Sequence, residues 1–276
     1  MSDPDPRNKL NELSGSQWLY FTKSLLTTSY PREFSHDLRK AHGANKPPRL
    51  MQQLIEFFTK PGELVLDPFA GVGGTLLGAS ICTEPRRCLG IEINGKWKAV
   101  YKQVLEENPE VAPQELLVGD CSQLLPTLPD NHFHFIATDP PYNTHLERTM
   151  CDGRYEEDYP NRRTDYDMAS PHGEDLANLS SYDEFLDTIE GILQECLRVL
   201  IPGRYMAVIL RNAYQKGRYI FTHADVANRA TRAGFRVKGE VVWHQTGSRL
   251  RPYGYPYAYV PNIVHQFILI IRKPLK

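Results

Sequence analysis

A short apolar strand that ends in an acid and runs straight into a glycine-rich turn leaves a chain few folds to choose from. Leu64-Val65-Leu66-Asp67-Pro68-Phe69-Ala70-Gly71-Val72-Gly73-Gly74-Thr75 is such a stretch, and helix-compatible residues follow from Leu76. Glycines take positive φ and let the backbone approach a ligand closely, so the stretch reads as a nucleotide-type turn. Its spacing differs from that of a phosphate loop and no Gly-Lys-Ser/Thr follows, which argues against a triphosphate. Further strands near residues 87, 115 and 133, separated by helical stretches, predict a parallel sheet with crossover helices.

Acids recur at the strand ends. Glu92 closes Arg87 to Ile91, eighteen residues beyond Gly74, where a carboxylate can accept hydrogen bonds from two ribose hydroxyls. Glu115 to Val118 leads to Gly119-Asp120, whose carboxylate can take an adenine amino group. Phe133 to Thr138 reads as a buried strand and delivers Asp139-Pro140-Pro141-Tyr142 at its carboxyl end, where open α/β sheets put their ligands. An amino group on a heteroaromatic ring is a poor nucleophile because its lone pair is delocalised. The Asp139 carboxylate and the Pro140 carbonyl are suitable acceptors for both N–H groups and favour a pyramidal nitrogen. The two prolines stiffen the turn, and Tyr142 offers a flat face for stacking a base. A Pro-Pro turn after a strand is common in itself; the acidic strand ends upstream favour the catalytic reading.

As a set, Asp67-Pro68-Phe69-Ala70-Gly71 with Thr75, then Glu92, Asp120 and Asp139-Pro140-Pro141-Tyr142, resembles the S-adenosylmethionine-dependent DNA amino-methyltransferases. The resemblance implies a Rossmann-like class I methyltransferase fold: α/β, with a mostly parallel seven-stranded sheet and an antiparallel C-terminal hairpin. It implies S-adenosyl-L-methionine as cofactor, with the methionine moiety at Asp67, Pro68, Phe69, Ala70, Gly71, Gly73 and Thr75, the ribose at Glu92 and the adenine at Asp120. Gly71-Val72-Gly73-Gly74-Thr75 carries an extra residue relative to the family, so the contacting glycine is one of Gly71, Gly73 and Gly74. Ala41 to Pro48 resembles a further family element, which makes Lys46 and Pro47 candidates for the cofactor pocket's wall; the other reading of Lys46 is a solvated lysine before a helix. Catalysis would rest on Asp139, Pro140, Pro141 and Tyr142, with the base flipped out of double-stranded DNA and the methyl transferred directly. No Pro-Cys pair occurs, so cytosine-C5 chemistry is not indicated. In the family, Asp before Pro-Pro goes mostly with adenine N6 and Ser with cytosine N4. The alternatives are cytosine N4, a guanine-N2 RNA enzyme, and a cofactor-binding subunit of a modification complex.

The net charge of -1 conceals an asymmetry. Residues 201–276 hold 13 Lys or Arg against 2 Asp or Glu, and residues 147–190 hold 4 against 13. A basic C-terminal third suits phosphate contact, although exposed arginines are also ordinary solvated surface. Residues 244–262 form a long connection in which Arg249, Arg251, Tyr253, Tyr255, Tyr257 and Tyr259 alternate with Gly and Pro. That pattern suits phosphate contact and stacking on an unpaired base, or packing against the sheet.

At 276 residues and 41% hydrophobic composition, the chain can bury a full sheet core. The expected organisation is one methyltransferase domain over 1–276. Within it lie a helical lead-in over 1–60, with helices at Gln17 to Tyr30 and Leu50 to Thr59, and an insertion or flap over 143–180. Ser181 or Ser180 should cap an amphipathic helix ended by Leu200-Ile201-Pro202-Gly203. A strand Tyr205 to Leu210, a helix Ala224 to Ala233 and the strands Val237 to Trp243 and Ile263 to Ile271 complete the chain. Five cysteines without a Cys-x-x-Cys pair indicate neither a disulfide frame nor a metal site, and Cys88 and Cys121 should pack in or beside the sheet. With no membrane-length apolar run and a polar start, a cytoplasmic protein is expected, whose reading of DNA sequence comes from the 143–180 insertion, the 244–262 hairpin, a homodimer or a specificity partner, or is relaxed.

Overall fold

Strand alternation in this chain sorts apolar side chains onto two faces of one sheet. A computed structural model describes residues 3–43, 45–141, 176, 179, 181–215 and 217–276. In chain order the elements are α1 (Gly15–Phe21), β1 (Leu25–Leu26), α2 (His36–Lys40), α3 (Pro48–Phe58), β2 (Leu64–Asp67), α4 (Gly74–Ser80), β3 (Arg87–Glu92) and α5 (Gly95–Glu107). Then come β4 (Glu115–Val118), α6 (Cys121–Leu124) with a 3-10 turn at Leu125–Thr127, β5 (Phe133–Thr138), α7 (Tyr182–Val199), β6 (Leu200–Leu210), β7 (Ala213–Gln215), β8 (Arg218–Ile220), α8 (Thr222–Arg232), β9 (Arg236–His244) and β10 (His265–Arg272).

Leu66, Ile136, Met206 and Val208 face a core shared with α7 and α8, through Phe185, Ile189, Leu193, Val226 and Ala230. Their neighbours Val65, Phe135, Ala137, Ala207 and Ile209 face the opposite core, shared with α3 and α4 through Leu54, Ile55, Phe58, Leu76 and Leu77. A strand buried on both sides has no polar face, which is why most of β2 and β5 and the second half of β6, Met206 to Leu210, read as apolar runs. Cys88 in β3 and Cys121 at the start of α6 are both buried, as expected.

The sheet order is β1-β9-β10-β6-β5-β2-β3-β4. From β6 to β4 the strands are parallel, and β10 lies antiparallel between β6 and β9. The expected antiparallel ending is present. The expected count of seven is not: Leu25-Leu26 add an eighth, two-residue strand parallel to Val242-Trp243 of β9. The helix expected to run to Tyr30 stops at Phe21. The Thr22 N–H still closes on the Trp18 carbonyl, and two residues later the Ser24 carbonyl accepts the Val242 N–H at 2.8 Å. Sheet pairing outweighs helix periodicity there. α7 stops at Leu200, as expected, but the next strand, expected from Tyr205, already begins there. Leu200 is extended, and Pro202 sits where the β5–β6 register shifts, one of the places a sheet tolerates proline.

Ser181 caps α7 by accepting the Glu184 N–H at 3.1 Å, as its spacing predicts. The α3–α4 contact depends on Gly78, whose added Cβ would stand 2.6 Å from Met51 Cβ and 2.9 Å from the Gln52 nitrogen. Among the described residues no helix is long and apolar enough to cross a membrane. Tyr142 and nearly all of 143–180 lie outside the described residues.

Candidate active site

Parallel order β5-β2-β3-β4 brings four acids to neighbouring positions along one sheet edge. Asp139 follows β5, Asp67 ends β2, Glu92 ends β3 and Asp120 follows β4. With strands about 4.8 Å apart, the row from Asp67 to Asp120 spans on the order of 10 Å, the scale of an elongated nucleoside-like ligand.

Asp67, Glu92 and Asp120 each accept at least one backbone N–H. Asp67 is 3% exposed. It accepts the Phe69 N–H at 3.0 Å, the Thr138 hydroxyl at 2.7 Å and the Thr75 hydroxyl at 2.5 Å. Burial outweighs these hydrogen bonds and pushes its carboxyl up to about 6. Glu92 accepts the Gly71 N–H on Oε2 at 2.9 Å and the Asn94 N–H on Oε1 at 2.8 Å, tying the glycine turn to the end of β3. Asp120 caps α6, accepting the Ser122 N–H at 2.8 Å and its hydroxyl at 2.5 Å. An ionised carboxylate has about four acceptor sites, and the half-buried Asp120 can also face a ligand.

Beside the β2 end lies a cleft of about 370 Å³, partly open to solvent. Asp67, Phe69, Ala70, Gly71, Gly74, Thr75, Lys46 and Asp139 line it. Of the three glycines, Gly71 and Gly74 line the cleft, whereas Gly73 serves the turn. Gly73 has φ +80°, and a Cβ on it would meet the Tyr101 ring at 2.4 Å. Pro68 is buried beneath the turn, Pro47 precedes α3 as its N-cap, and neither lines the cleft.

Lys46 is not a solvated lysine. It is 8% exposed, and its Nζ forms an ion pair with Asp139. Its backbone is fixed by Arg39, a buried guanidinium that donates to the carbonyls of Glu33 (2.9 Å), Phe34 (2.9 Å) and Lys46 (3.3 Å). Burial draws Arg39 down to about 10. Sequence reading passed over Arg39, and over His42, Asn45, Met51 and Val72 of the cleft wall. His42 and Asn45 fall within the Ala41 to Pro48 element, which was the available signal; one arginine in a polar lead-in offers none. His42 packs edge-on against Trp97, and burial, helped by Lys46, draws its imidazole down to about 4.

β5 and β6 run parallel, and Leu210 at the end of β6 faces Phe267 near the start of β10. The connection 245–264 therefore leaves the same sheet edge as Asp139. Asn262 clamps its neck, accepting the Arg251 N–H and donating to the Arg251 carbonyl, both at 2.8 Å. Arg249 is exposed, Arg251 and Tyr253 are half-buried, and Tyr255, Tyr257 and Tyr259 are 70%, 80% and 87% exposed. The β7–β8 ribbon starts from the same edge, two residues after β6, and carries Arg218 and Tyr219, with exposed Phe221 following β8.

A glycine turn and a row of acidic strand ends on a sheet with one inserted antiparallel strand define an α/β methyltransferase. The model of the N6/N4 DNA methylase family matches residues 7–103 and 133–276, and the chain belongs to that family, whose methyl donor is S-adenosyl-L-methionine. The chain is 30% identical over 114 residues to the DNA adenine methyltransferase YhdJ of Escherichia coli (strain K12), covering 41% of this chain and 34% of that protein. It is 34% identical over 98 residues to the tRNA (guanine(10)-N2)-dimethyltransferase of Pyrococcus abyssi, covering 36% and 29%. The chain thus spans about a third of the length of these curated relatives. TrmN from Thermus thermophilus shares the fold, with a TM-score of 0.54 and 17% identity over 88% of this chain and 52% of that one.

Proposed function

We propose that the chain methylates an exocyclic amino group of a base in DNA, adenine N6 in preference to cytosine N4. The observation that carries this reading is the adjacency of Asp139-Pro140 at the β5 end to the cleft at the β2 end, on an edge whose next two strands also end in acids.

The residues fit the cofactor. Asp67 and the backbone of Gly71 and Gly74 would hold the methionine moiety, Glu92 the ribose hydroxyls and Asp120 the adenine amino group. The cofactor supplies an electrophilic methyl on a sulfonium. Asp139 and the Pro140 carbonyl accept the two N–H groups of the target amine, and positioning supplies much of the rate. Asp139 need not be a strong base, because the amine proton becomes more acidic once the nitrogen is alkylated. A duplex buries that amine, so the base must leave the stack; Tyr142 would supply its stacking face. Arg249, Arg251, Tyr253 and Tyr255, together with the more exposed Tyr257 and Tyr259, would contact the nucleic acid from the same edge. The Asp preceding Pro-Pro and the likeness to a DNA adenine methyltransferase support adenine.

The test is incubation with methyl-labelled cofactor and unmethylated genomic DNA or unmodified tRNA, digestion to nucleosides and identification of the labelled product. N6-methyladenine in DNA, absent with Asp139→Ala, is the expected result. N4-methylcytosine would move the target base, and N2-methylguanine in tRNA alone would replace DNA by RNA, the reading that the tRNA-modifying relative favours.

A further inference from the structure

The Lys46–Asp139 ion pair places a cation on the carboxylate that the proposed reaction needs as an acceptor. The two side chains are 9% and 11% exposed. Drawing the buried Lys46 ammonium away from Asp139 with no other anion to receive it is strongly unfavourable. Its backbone has little room to follow. The Lys46 carbonyl is held by Arg39, and a Cβ on Gly74 would come within 2.9 Å of it. The movable part is Nζ, a compact charge with three donors on a flexible four-carbon stem.

Lys46, Asp67, Gly71, Thr75 and Asp139 line one cleft. Of the charged groups of S-adenosylmethionine, the α-carboxylate is the only anion, and it belongs to the methionine moiety that this lining would hold. We propose that Lys46 guards Asp139. It pairs with Oδ2 until the cofactor's α-carboxylate offers a second anion, and its transfer to that carboxylate uncovers Asp139 for the base. Cofactor binding then strengthens nucleic-acid binding, and by linkage the reverse holds by the same factor. Lys46 is on this account a positioning residue that couples the two substrates, and the inference rests on the function proposed above.

The test uses the full chain, S-adenosylhomocysteine, and its analogue in which hydrogen replaces the α-carboxylate. Calorimetry reads the binding of each ligand, and fluorescence anisotropy reads a duplex carrying the site methylated in the assay above. S-adenosylhomocysteine at saturation should tighten duplex binding about tenfold, a typical coupling between sites; the decarboxylated analogue at saturation should leave it unchanged. Lys46→Met should bind the duplex tightly without either ligand and show no coupling. Equal tightening by both ligands in the unaltered chain, or full coupling in a folded Lys46→Met, overturns the proposal while the function stands. If Lys46→Met does not fold, the two-ligand comparison on the unaltered chain decides. Failure of S-adenosylhomocysteine to bind at all removes the functional reading and this inference with it.

Discussion

Asp67 is costly to the fold in its ionised form. Its carboxyl rises from an ordinary 3.8 to about 6, so between those values the folded chain keeps a proton that the unfolded chain releases. Stability therefore falls as pH rises through that window, and the full cost, about 3 kcal/mol, persists above it. Asp67→Asn should match the unaltered chain below about pH 3 and exceed it in stability by up to roughly 3 kcal/mol at pH 8, while binding S-adenosylhomocysteine more weakly. Urea titrations across pH check this, and a stability difference independent of pH would sink the account. His42 titrates in an overlapping range with the opposite sign, since its lowered value makes stability fall as pH drops toward about 4. That contribution is common to both proteins and cancels in the comparison. The acids themselves were legible in the sequence because each ends an apolar run. Arg39 was not, because its role comes from three carbonyls that only the folded lead-in gathers.

At the level of elements, two helical glycines make opposite predictions. Gly78 lets α4 lie against α3, and a side chain there meets Met51 and the Gln52 backbone. Gly78→Ala should cost about 1–3 kcal/mol through overpacking. Gly191 sits on the exposed face of α7, where an added Cβ has nothing within 4 Å, so Gly191→Ala should stabilise by about 1 kcal/mol through helix propensity. Denaturant midpoints distinguish the two, and equal effects would contradict this packing. Elements were readable wherever local pattern and tertiary role agree, as in β2, β3, β5 and the Ser181 cap. They were misread where pairing with a distant partner decides: Leu25-Leu26 are strand only because Val242-Trp243 lie alongside, and Pro202 is strand only at a register shift. Whether Gly71, Gly73 or Gly74 faces the cleft was likewise undecidable from spacing, since Tyr101 occupies the side that Gly73 leaves bare.

For the molecule as a whole, the surface proposed to meet nucleic acid should separate charge from stacking. Arg249→Ala with Arg251→Ala should lower the slope of log affinity against log salt by about 2 for duplex DNA. Tyr257→Ala with Tyr259→Ala should weaken binding to unpaired bases, about 1–3 kcal/mol per stacked base, with the slope unchanged. Filter binding over a salt series measures both, and a slope unaffected by the arginine pair would remove the loop from the interface. The boundary between β2 and β5 has a wider consequence. The ends of strands β2, β3 and β4 carry the acids assigned to the methyl donor, and their carboxylates are fixed by backbone N–H groups of the turns and of the α6 start that follow those strands. The proposed acceptor side, beyond β5, presents a connection and a ribbon. On the proposed assignment, a change of nucleic-acid substrate can fall largely on the loops beyond β5, whereas a change of donor would fall on the strand ends and turns of the sheet itself. Such an architecture lets substrate choice diversify quickly while the donor chemistry stays unchanged.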